Sequence, residues 1–228
     1  LRIAPLCACT GFFCAPGNAG IAGLAACVSL KTDDIAGLLD FAKKEKIDFT
    51  IVGPEAPLVA GIVDSFEKEG LKIFGPSRKA ARLEASKSFA KEIMRATQVP
   101  TGESYACRTM AEVRCAVKRL GVPVVIKADG LAAGKGVVIC DSEDSAYEAA
   151  ASMLVDKVFG DAGNIVVVEE FLRGEEASIL VLTNGTRALP LASSQDHKRV
   201  FDHDSGPNTG GMGAYSPAPV VTDTLMDR

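Results

Sequence analysis

No stretch of the sequence is apolar over the roughly 18 residues that a helix needs to span a lipid bilayer. The first residues show no secretory signal pattern, and the chain starts with Leu1 instead of an initiator Met. The net charge of −4 is unlike the strongly basic balance of proteins that bind nucleic acids or membrane surfaces. These absences predict a cytoplasmic protein with neither a membrane nor a nucleic acid as partner.

Paired cysteines are also missing. The seven cysteines include no Cys-x-x-Cys pair. An odd, scattered set without a secretion signal indicates reduced thiols and not a disulfide framework. Cys7 and Cys9 have the character of zinc ligands only weakly, because no second pair accompanies them. We therefore predict no metal site within this chain.

The most informative stretch that is present covers residues 123–140. Two β-branched apolar runs enclose a glycine-containing loop at residues 130–136, which predicts a β-hairpin. Lys127 lies near the end of the first run, and Lys135 lies in the loop. Glycines leave backbone N–H groups accessible and lysines add positive charge, so this combination suits a polyphosphate. A plain glycine-rich hairpin without a ligand is the alternative.

This loop does not fit the phosphate-binding loop of P-loop nucleotide hydrolases. That loop needs Gly-x-x-x-x-Gly-Lys followed by Ser or Thr at the start of a helix. Here three residues separate Gly130 from Gly134, and Gly136 stands where the Ser or Thr is needed. A strand pattern follows instead of a helix. The spacing therefore favours a flexible flap over phosphates, between two strands.

Residues 1–76 alternate strand and helix patterns, which is typical of an α/β domain with a parallel sheet. The patterns predict strands at residues 11–15, 48–53 (buried) and 71–74, a helix opened by residues 32–34, and one helix from 54 to 69. Ligands of such sheets bind at the carboxyl ends of the strands. The turn at residues 16–20 and Glu55 follow two of these ends. Each is a simple turn in the alternative reading, although a rigidly held Glu55 carboxylate can accept hydrogen bonds from sugar hydroxyls.

Residues 77–228 form a second domain in our interpretation, with an α+β pattern. Capping residues predict helices that start at Ser86, Thr109 and Ser142. Asn184 and Gly185 favour a tight hairpin. Residues 193–219 show no periodic pattern, and a loop of this length is usually functional or disordered.

Several segments in one order resemble a known family. They are residues 51–58, 125–137, 168–172, 194–199 and 206–217. From about Pro16 onward they resemble the phosphoribosylamine–glycine ligases, purine-pathway enzymes of the ATP-grasp superfamily. The resemblance implies a truncated Rossmann-like domain, residues 1–76, followed by an incomplete ATP-grasp domain, residues 77–228. The family's first strand with its Gly-Asn-Gly-Gly-Arg-Glu loop is missing, and residues 1–13 match poorly.

The resemblance also implies a reaction. ATP, glycine and 5-phosphoribosylamine would give glycinamide ribonucleotide, ADP and phosphate through glycyl phosphate. The cofactors would be ATP and Mg²⁺, the partners would be small-molecule substrates, and we expect a monomer. Because the magnesium ligands are expected beyond Arg228, we expect the chain to be inactive alone. Another ATP-grasp carboxylate–amine ligase and a nucleotide-binding paralogue without activity remain open alternatives.

The resemblance assigns roles to named residues. Those expected to bind ATP are Lys87, Lys127, Asp129, Gly130, Gly134, Lys135, Gly136, Glu169, Glu170, Phe171, Leu172 and Glu176. Those expected to act in catalysis are Lys127, Lys135 and Arg199. Those expected on the substrate side are Gly17, Asn18, Glu55, Asp196, His197, Lys198, Arg199, Asn208, Thr209, Gly210, Gly211 and Met212. Without the resemblance, Glu169 and Glu170 would simply cap an edge strand.

Overall fold

The structure, a computed structural model, describes residues 11–132, 134–202 and 205–226, and it divides the chain into two compact units. The first unit ends at Glu170 and the second begins at Phe171. The strands of the first unit are β1 Phe13–Cys14, β2 Ala26–Cys27, β3 Thr50–Ile51, β4 Ile73–Phe74, β5 Ser104–Cys107, β6 Val124–Ala128, β7 Val137–Cys140 and β8 Val166–Glu170. Its helices are α1 Ile35–Lys44, α2 Glu55–Ala60, α3 Ile62–Lys68, α4 Arg78–Ala85, α5 Lys87–Ala96, α6 Met110–Leu120 and α7 Glu143–Leu154.

The main sheet of the first unit is antiparallel, with strand order β5-β8-β6-β7. Successive side chains of a strand point to opposite faces, so one set of alternate residues packs against helices α6 and α7. This core contains residues from both central strands and both helices: Val113, Val117, Val124, Ile126, Met153, Val166 and Val168. The other set, which includes Lys127 and Glu169, lies on the opposite face. The predicted hairpin at residues 123–140 is confirmed as β6 and β7.

Local capping explains where the helices of this unit begin. Thr109 accepts a hydrogen bond from the Glu112 N–H, and the Glu112 side chain accepts one from the Thr109 N–H, which forms a capping box at α6. Ser142 and Ser145 pair in the same way at α7. Ser86 caps α5. The three helix starts predicted from the sequence are confirmed, whereas α4 and β5 were not predicted.

The region before Pro76 contains two short parallel pairs, β1 with β2 and β3 with β4. A second apolar core lies beside them and is centred on Ile62, Val63 and Phe66. The prediction of a buried strand at residues 48–53 is wrong in its burial, because Ile51 is 69% exposed. Among the described residues β3 pairs only with β4, so this two-residue strand is not enclosed by a larger sheet.

The prediction of one helix over residues 54–69 is also wrong. Gly61 adopts a left-handed conformation with φ of +92°, which ends α2 before α3 begins. The Arg78 guanidinium donates hydrogen bonds to the carbonyls of Val59 (3.2 Å) and Ala60 (2.8 Å). These bonds satisfy acceptors that the end of α2 leaves without helical partners.

The second unit contains β9 Val181–Thr183, β10 Ala188–Pro190, β11 Gln195–Phe201, β12 Ser205–Tyr215 and α8 Asp223–Met226. The hairpin predicted at Asn184 and Gly185 is confirmed by the antiparallel pairing of β9 and β10. The prediction of a loop over residues 193–219 is wrong, because β11 and β12 form an antiparallel pair. Their register shifts on both sides of Arg199, and such irregular pairing hides the period of two that a sequence pattern needs. Within the described parts of both units, every helix is too short or too polar to cross a membrane.

Candidate functional site

The ion cluster of the first unit joins three side chains from different elements. Strands β6 and β8 place Val125 opposite Glu169 and Lys127 opposite Val167, so Lys127 and Glu169 are diagonal neighbours on one face. The Lys127 ammonium pairs with Oε2 of Glu169. Lys91, from helix α5, pairs with Oε1 of the same carboxylate. One carboxylate is thus shared by two lysines.

Burial differs among the three side chains. The side chain of Glu169 is 8% exposed and that of Lys91 is 10% exposed, whereas that of Lys127 is 26% exposed. Burial acts to raise the pKa of the Glu169 carboxyl, but hydrogen bonds from Lys127 and Lys91 outweigh it and hold the pKa below its ordinary value. The carboxylate is therefore ionised at neutral pH, and the cluster carries one net positive charge.

A second lysine site lies at the start of α5. The Lys87 ammonium donates to the backbone oxygens of Gly130 (3.1 Å) and Asp129 (3.5 Å). Burial lowers the pKa of Lys87, and the positive charge of Lys127 lowers it further, although Asp129 and Glu84 oppose this effect. Within the described residues Lys87 forms no ion pair. Among the described residues, its half-buried charge therefore has backbone oxygens but no directly paired carboxylate.

The side chain of Asp129 has a local task. Its Oδ1 accepts a hydrogen bond from the Ser88 N–H (2.6 Å), and its Oδ2 accepts one from the Ser86 hydroxyl (2.9 Å). These bonds tie the end of β6 to the first turn of α5, where a negative charge is favoured by the helix dipole. Asp129 as a whole residue is 8% exposed. The role of Asp129 toward ATP stays a prediction.

The glycines of the loop at residues 130–136 have different reasons to be glycine. A Cβ at Gly130 would lie 2.8 Å from the Cα of Ala162, and one at Gly136 would lie 2.7 Å from the Cβ of Ala132. Both positions therefore need glycine for packing within the chain. Gly134 instead adopts a φ of +76° with nothing within 4 Å of its Cβ position. Only Gly134 thus combines a left-handed backbone with open space.

The loop also leaves donors available. Lys135 is exposed and makes no ion pair with a described residue. Its N–H donates to the Ala132 carbonyl, but the N–H group of the exposed Gly134 donates to no acceptor in the described part of the chain. One backbone donor and one ammonium can therefore meet an anion at this loop.

The predicted substrate residues of the N-terminal region are exposed or half-buried. Gly17 has a φ of +78°, and a Cβ there would lie 2.4 Å from Sγ of Cys27. The Asn18 side chain accepts a hydrogen bond from the Ile21 N–H (2.9 Å) at the start of a 3-10 turn. Glu55 is exposed at the first position of α2. Turn formation explains the first two residues, and their substrate roles stay predictions.

In the second unit, Phe171 is half-buried, while Leu172 and Glu176 are exposed. Ser178, two residues after Glu176, bridges Ser194 through backbone hydrogen bonds of 2.7 and 2.8 Å. The ATP-binding roles expected of Glu169, Glu170, Phe171, Leu172 and Glu176 stay predictions.

Strands β11 and β12 bring the other predicted substrate residues of this unit together. Asp196 pairs with Lys198 (3.3 Å), and the His197 and Tyr215 rings lie 5.4 Å apart. Arg199 donates to the Gly206 carbonyl (2.9 Å) and lies opposite Asn208 in the register. The remaining predicted positions, which are Thr209, Gly210, Gly211 and Met212, lie within β12, in the stretch that the register passes over between Gly213 and Asn208.

Sequence reasoning missed Lys91. Its ammonium donates to the Thr101 hydroxyl (2.6 Å) and to the Gly102 carbonyl (3.3 Å) in addition to pairing with Glu169. Lys91 lies four residues after Lys87, so one helical turn presents both lysines on the same side of α5. That spacing is the signal that could have pointed to it.

The arrangement as a whole is suited to holding an anion. Lys87, Lys127 and Lys135 supply positive charge, and Gly134 supplies a backbone donor. A polyphosphate matches this donor set, because it offers several oxygens with negative charge. The described residues contain no group of three or more His, Cys, Asp or Glu side chains that could hold a metal ion.

Family models match both parts of the chain. The model described as phosphoribosylglycinamide synthetase, N domain, matches residues 3–84. The model described as phosphoribosylglycinamide synthetase, ATP-grasp (A) domain, matches residues 85–228, which is more than half of the chain. The match begins at residue 3 and so extends further toward the N-terminus than the resemblance read from the motifs.

Two curated proteins with similar sequences carry the same name. Phosphoribosylamine–glycine ligase of Escherichia coli (strain K12) is 55% identical over 218 residues, which cover 95% of this chain and 51% of that protein. The protein of the same name from Vibrio parahaemolyticus is 56% identical over 219 residues, with the same coverage of 95% and 51%. The chain thus spans about half the length of these curated relatives.

Solved structures agree. The crystal structure of phosphoribosylamine–glycine ligase from Thermotoga maritima matches with a TM-score of 0.74 and 33% identity, over 93% of this chain and 51% of that one. N5-carboxyaminoimidazole ribonucleotide synthetase from Thermus thermophilus matches with a TM-score of 0.67 and 20% identity, over 93% of this chain and 52% of that one. The second likeness shows the fold alone.

Proposed function

We propose, from the premise that the chain belongs to the phosphoribosylglycinamide synthetase family and has its ATP-grasp-type fold, that its first unit binds the polyphosphate of ATP. The observation that carries this proposal is the half-buried Lys87 ammonium, which has backbone acceptors but no carboxylate partner among the described residues. A buried charge is costly unless it is paired, so an anionic ligand completes the site.

The proposed reaction is the ligation of glycine to 5-phosphoribosylamine. The glycine carboxylate attacks the γ-phosphorus of ATP and releases ADP, which gives glycyl phosphate. The amine of 5-phosphoribosylamine then attacks the glycyl carbonyl and releases phosphate, with loss of one proton from nitrogen. The protein positions these groups, neutralises charge and keeps water away from the acyl phosphate.

The proposal assigns individual roles to residues of the first unit. Lys87 and Lys127 bind phosphate oxygens, and Lys127 and Lys135 offset charge as the phosphoryl group transfers. The exposed loop around Gly134 covers the phosphates. The ATP roles of Glu170, Phe171, Leu172 and Glu176 and the substrate roles predicted from the sequence belong to this proposal as well, together with a cytoplasmic monomer.

The finer fold assignment is part of the proposal. We assign residues 1–76 to a Rossmann-like domain, which the parallel pairs β1–β2 and β3–β4 support. Residues 77–228 are assigned to an ATP-grasp domain. Magnesium is expected to accompany ATP and would offset charge on its phosphates.

The test replaces the matched 218 residues of the Escherichia coli relative with the corresponding residues of this chain and measures ADP formation from ATP. We expect continued turnover to ADP only when glycine and 5-phosphoribosylamine are both present. Lys87→Met in the hybrid should lower the rate at least tenfold, an effect of about 1.4 kcal/mol. The 228-residue chain, assayed alone beside the hybrid, tests the prediction that it is inactive by itself.

The matched control is Lys79→Met, which removes an exposed lysine of α4. It should leave the rate of ADP formation unchanged. A folded hybrid that binds ADP but forms no product with glycine would contradict the proposed reaction. Product formation with another carboxylic acid in place of glycine would instead favour a different ATP-grasp ligase.

A further inference from the structure

The two lysines that share Glu169 are held very differently. Lys91 has three partners, which are Glu169, the Thr101 hydroxyl and the Gly102 carbonyl. Lys127 has Glu169 as its only partner among the described residues, and its side chain is more than twice as exposed as that of Lys91. Lys91 is therefore the fixed partner of the carboxylate, and Lys127 is the partner that is able to move.

This difference matters when an anion binds. The Lys127 ammonium must give up at least part of its contact with Glu169 in order to contact a phosphate. If Glu169 had no other cation, that movement would leave a buried carboxylate without a counter-ion, which is strongly unfavourable. Oε2 of Glu169, which faces Lys127, has no other partner in the described part of the chain.

We infer that Lys91 is a positioning residue that keeps Glu169 neutralised, so that Lys127 can leave the carboxylate and contact a phosphate. The inference rests on the proposed function, because it assigns Lys127 to a phosphate. Lys91 itself does not touch the ligand; it acts through Glu169. With Lys91 present, Glu169 orients the Lys127 ammonium, but the ion pair between them is weak enough for Lys127 to separate.

The first test needs no nucleotide. In Lys91→Met, Glu169 has Lys127 as its only counter-ion, so the Lys127 ammonium should react more slowly with N-hydroxysuccinimidyl acetate. We expect Lys127 acetylation, followed by peptide mass spectrometry, to slow by roughly tenfold. In Lys91→Met/Glu169→Gln the carboxylate is gone, and acetylation of Lys127 should return at least to the rate of the unmodified chain.

The second test measures the dissociation constant of ADP by calorimetry in the same variants. Lys91→Met should weaken ADP binding by roughly tenfold, and Lys91→Met/Glu169→Gln should restore it. A merely structural role for Lys91 predicts the opposite for the double variant, because removal of a second buried group would weaken the site further. Lys118→Met, at an exposed position of α6, is the matched control and should match the unmodified chain in both tests.

The outcomes separate the two claims. Unchanged acetylation of Lys127 in Lys91→Met, or a double variant that stays slow, would overturn the inference. Failure of the unmodified chain to bind ADP, with the expected acetylation pattern, would count against the proposed function and leave the charge sharing intact. Thermal unfolding of each variant identifies loss of the fold. If Lys91→Met alone unfolds, Lys91→Gln, which removes the charge but keeps a hydrogen-bond donor toward Thr101 and Gly102, takes its place: slower Lys127 acetylation than in the unmodified chain supports the inference, and an unchanged rate overturns it.

Discussion

Lys127 and Glu169 form an ion pair between neighbouring strands β6 and β8, on the sheet face opposite helices α6 and α7. The two residues are diagonal neighbours, because the residue directly opposite Lys127 on β8 lies two positions from Glu169. It joins the predicted phosphate hairpin to the strand that ends the first unit. The ionisation of Glu169 is therefore linked to both the stability and the ligand chemistry of this unit.

The pKa of Glu169 predicts a dependence of stability on pH. Its folded pKa is lower than the ordinary value of 4.5, so the stabilisation is fully present above pH 4.5 and is lost as pH falls through the folded pKa. We expect Glu169→Gln to be less stable by about 3 kcal/mol at pH 7, because two lysines lose their shared carboxylate. Urea unfolding at several pH values should show this difference shrinking below pH 4.5.

The exposed ion pair of Lys43 and Glu69 provides the control for that experiment. The pair is 2.7 Å long and about 40% exposed on both sides. Glu69→Gln should change the free energy of unfolding far less, because solvent screens exposed pairs. A Glu169→Gln difference that stays constant from pH 7 to pH 3 would contradict the assigned role of the buried carboxylate.

The lowered pKa of Lys87 predicts that ligand binding depends on pH in the alkaline range. Burial lowers its pKa below the ordinary value of 10.5, whereas a bound phosphate favours the charged form and raises it. ADP binding should therefore take up protons and weaken as pH rises through the alkaline range toward 10.5. Dissociation constants measured from pH 7 upward should show this trend in the unmodified chain. If Lys87→Met shows the same trend, another group is responsible.

Elements that depend on residues close together in the sequence could be predicted. Elements that depend on contacts between distant residues could not. The starts of α6 and α7 follow from Thr109 and Ser142, because a cap is a bond between a side chain and nearby backbone. The β6–β7 hairpin follows from two β-branched runs around one loop. In contrast, the pairing of β11 with β12 depends on shifted register, and no periodic pattern marks it.

The candidate site shows the same division. The glycines and lysines of residues 127–136 are close in sequence, so their pattern is visible before folding. The shared carboxylate is not, because Lys91 and Glu169 are 78 residues apart and meet only when α5 packs beside β8. The burial that distinguishes Lys91 from Lys127 is also a property of packing alone.

Thiol reactivity provides an independent check on the core of the first unit. Burial raises the pKa of Cys107 to about 11 and raises that of Cys140 as well, whereas Cys27 and Cys115 are exposed. At pH 8 the thiolate is the reactive form, so iodoacetamide should label Cys27 and Cys115 first. Peptide mass spectrometry over time should show Cys107 and Cys140 labelled much more slowly. Equal rates for all four would contradict the packing of β5 and β7.

Two glycines of the phosphate loop predict separable effects on folding and binding. In Gly136→Ala the new Cβ would lie 2.7 Å from Ala132 and 3.1 Å from Ala128, so the hairpin must shift, and we expect a loss of stability of about 2 kcal/mol. In Gly134→Ala there is open space but a φ of +76°, so we expect a loss of about 1 kcal/mol or an altered loop. Gly134→Ala should therefore act mainly on ADP binding. Gly136→Ala should act mainly on the unfolding temperature. Unfolding scans with and without ADP measure both quantities in one series. If Gly136→Ala is as stable as the unmodified chain, the close contact between the loop and β6 is wrong.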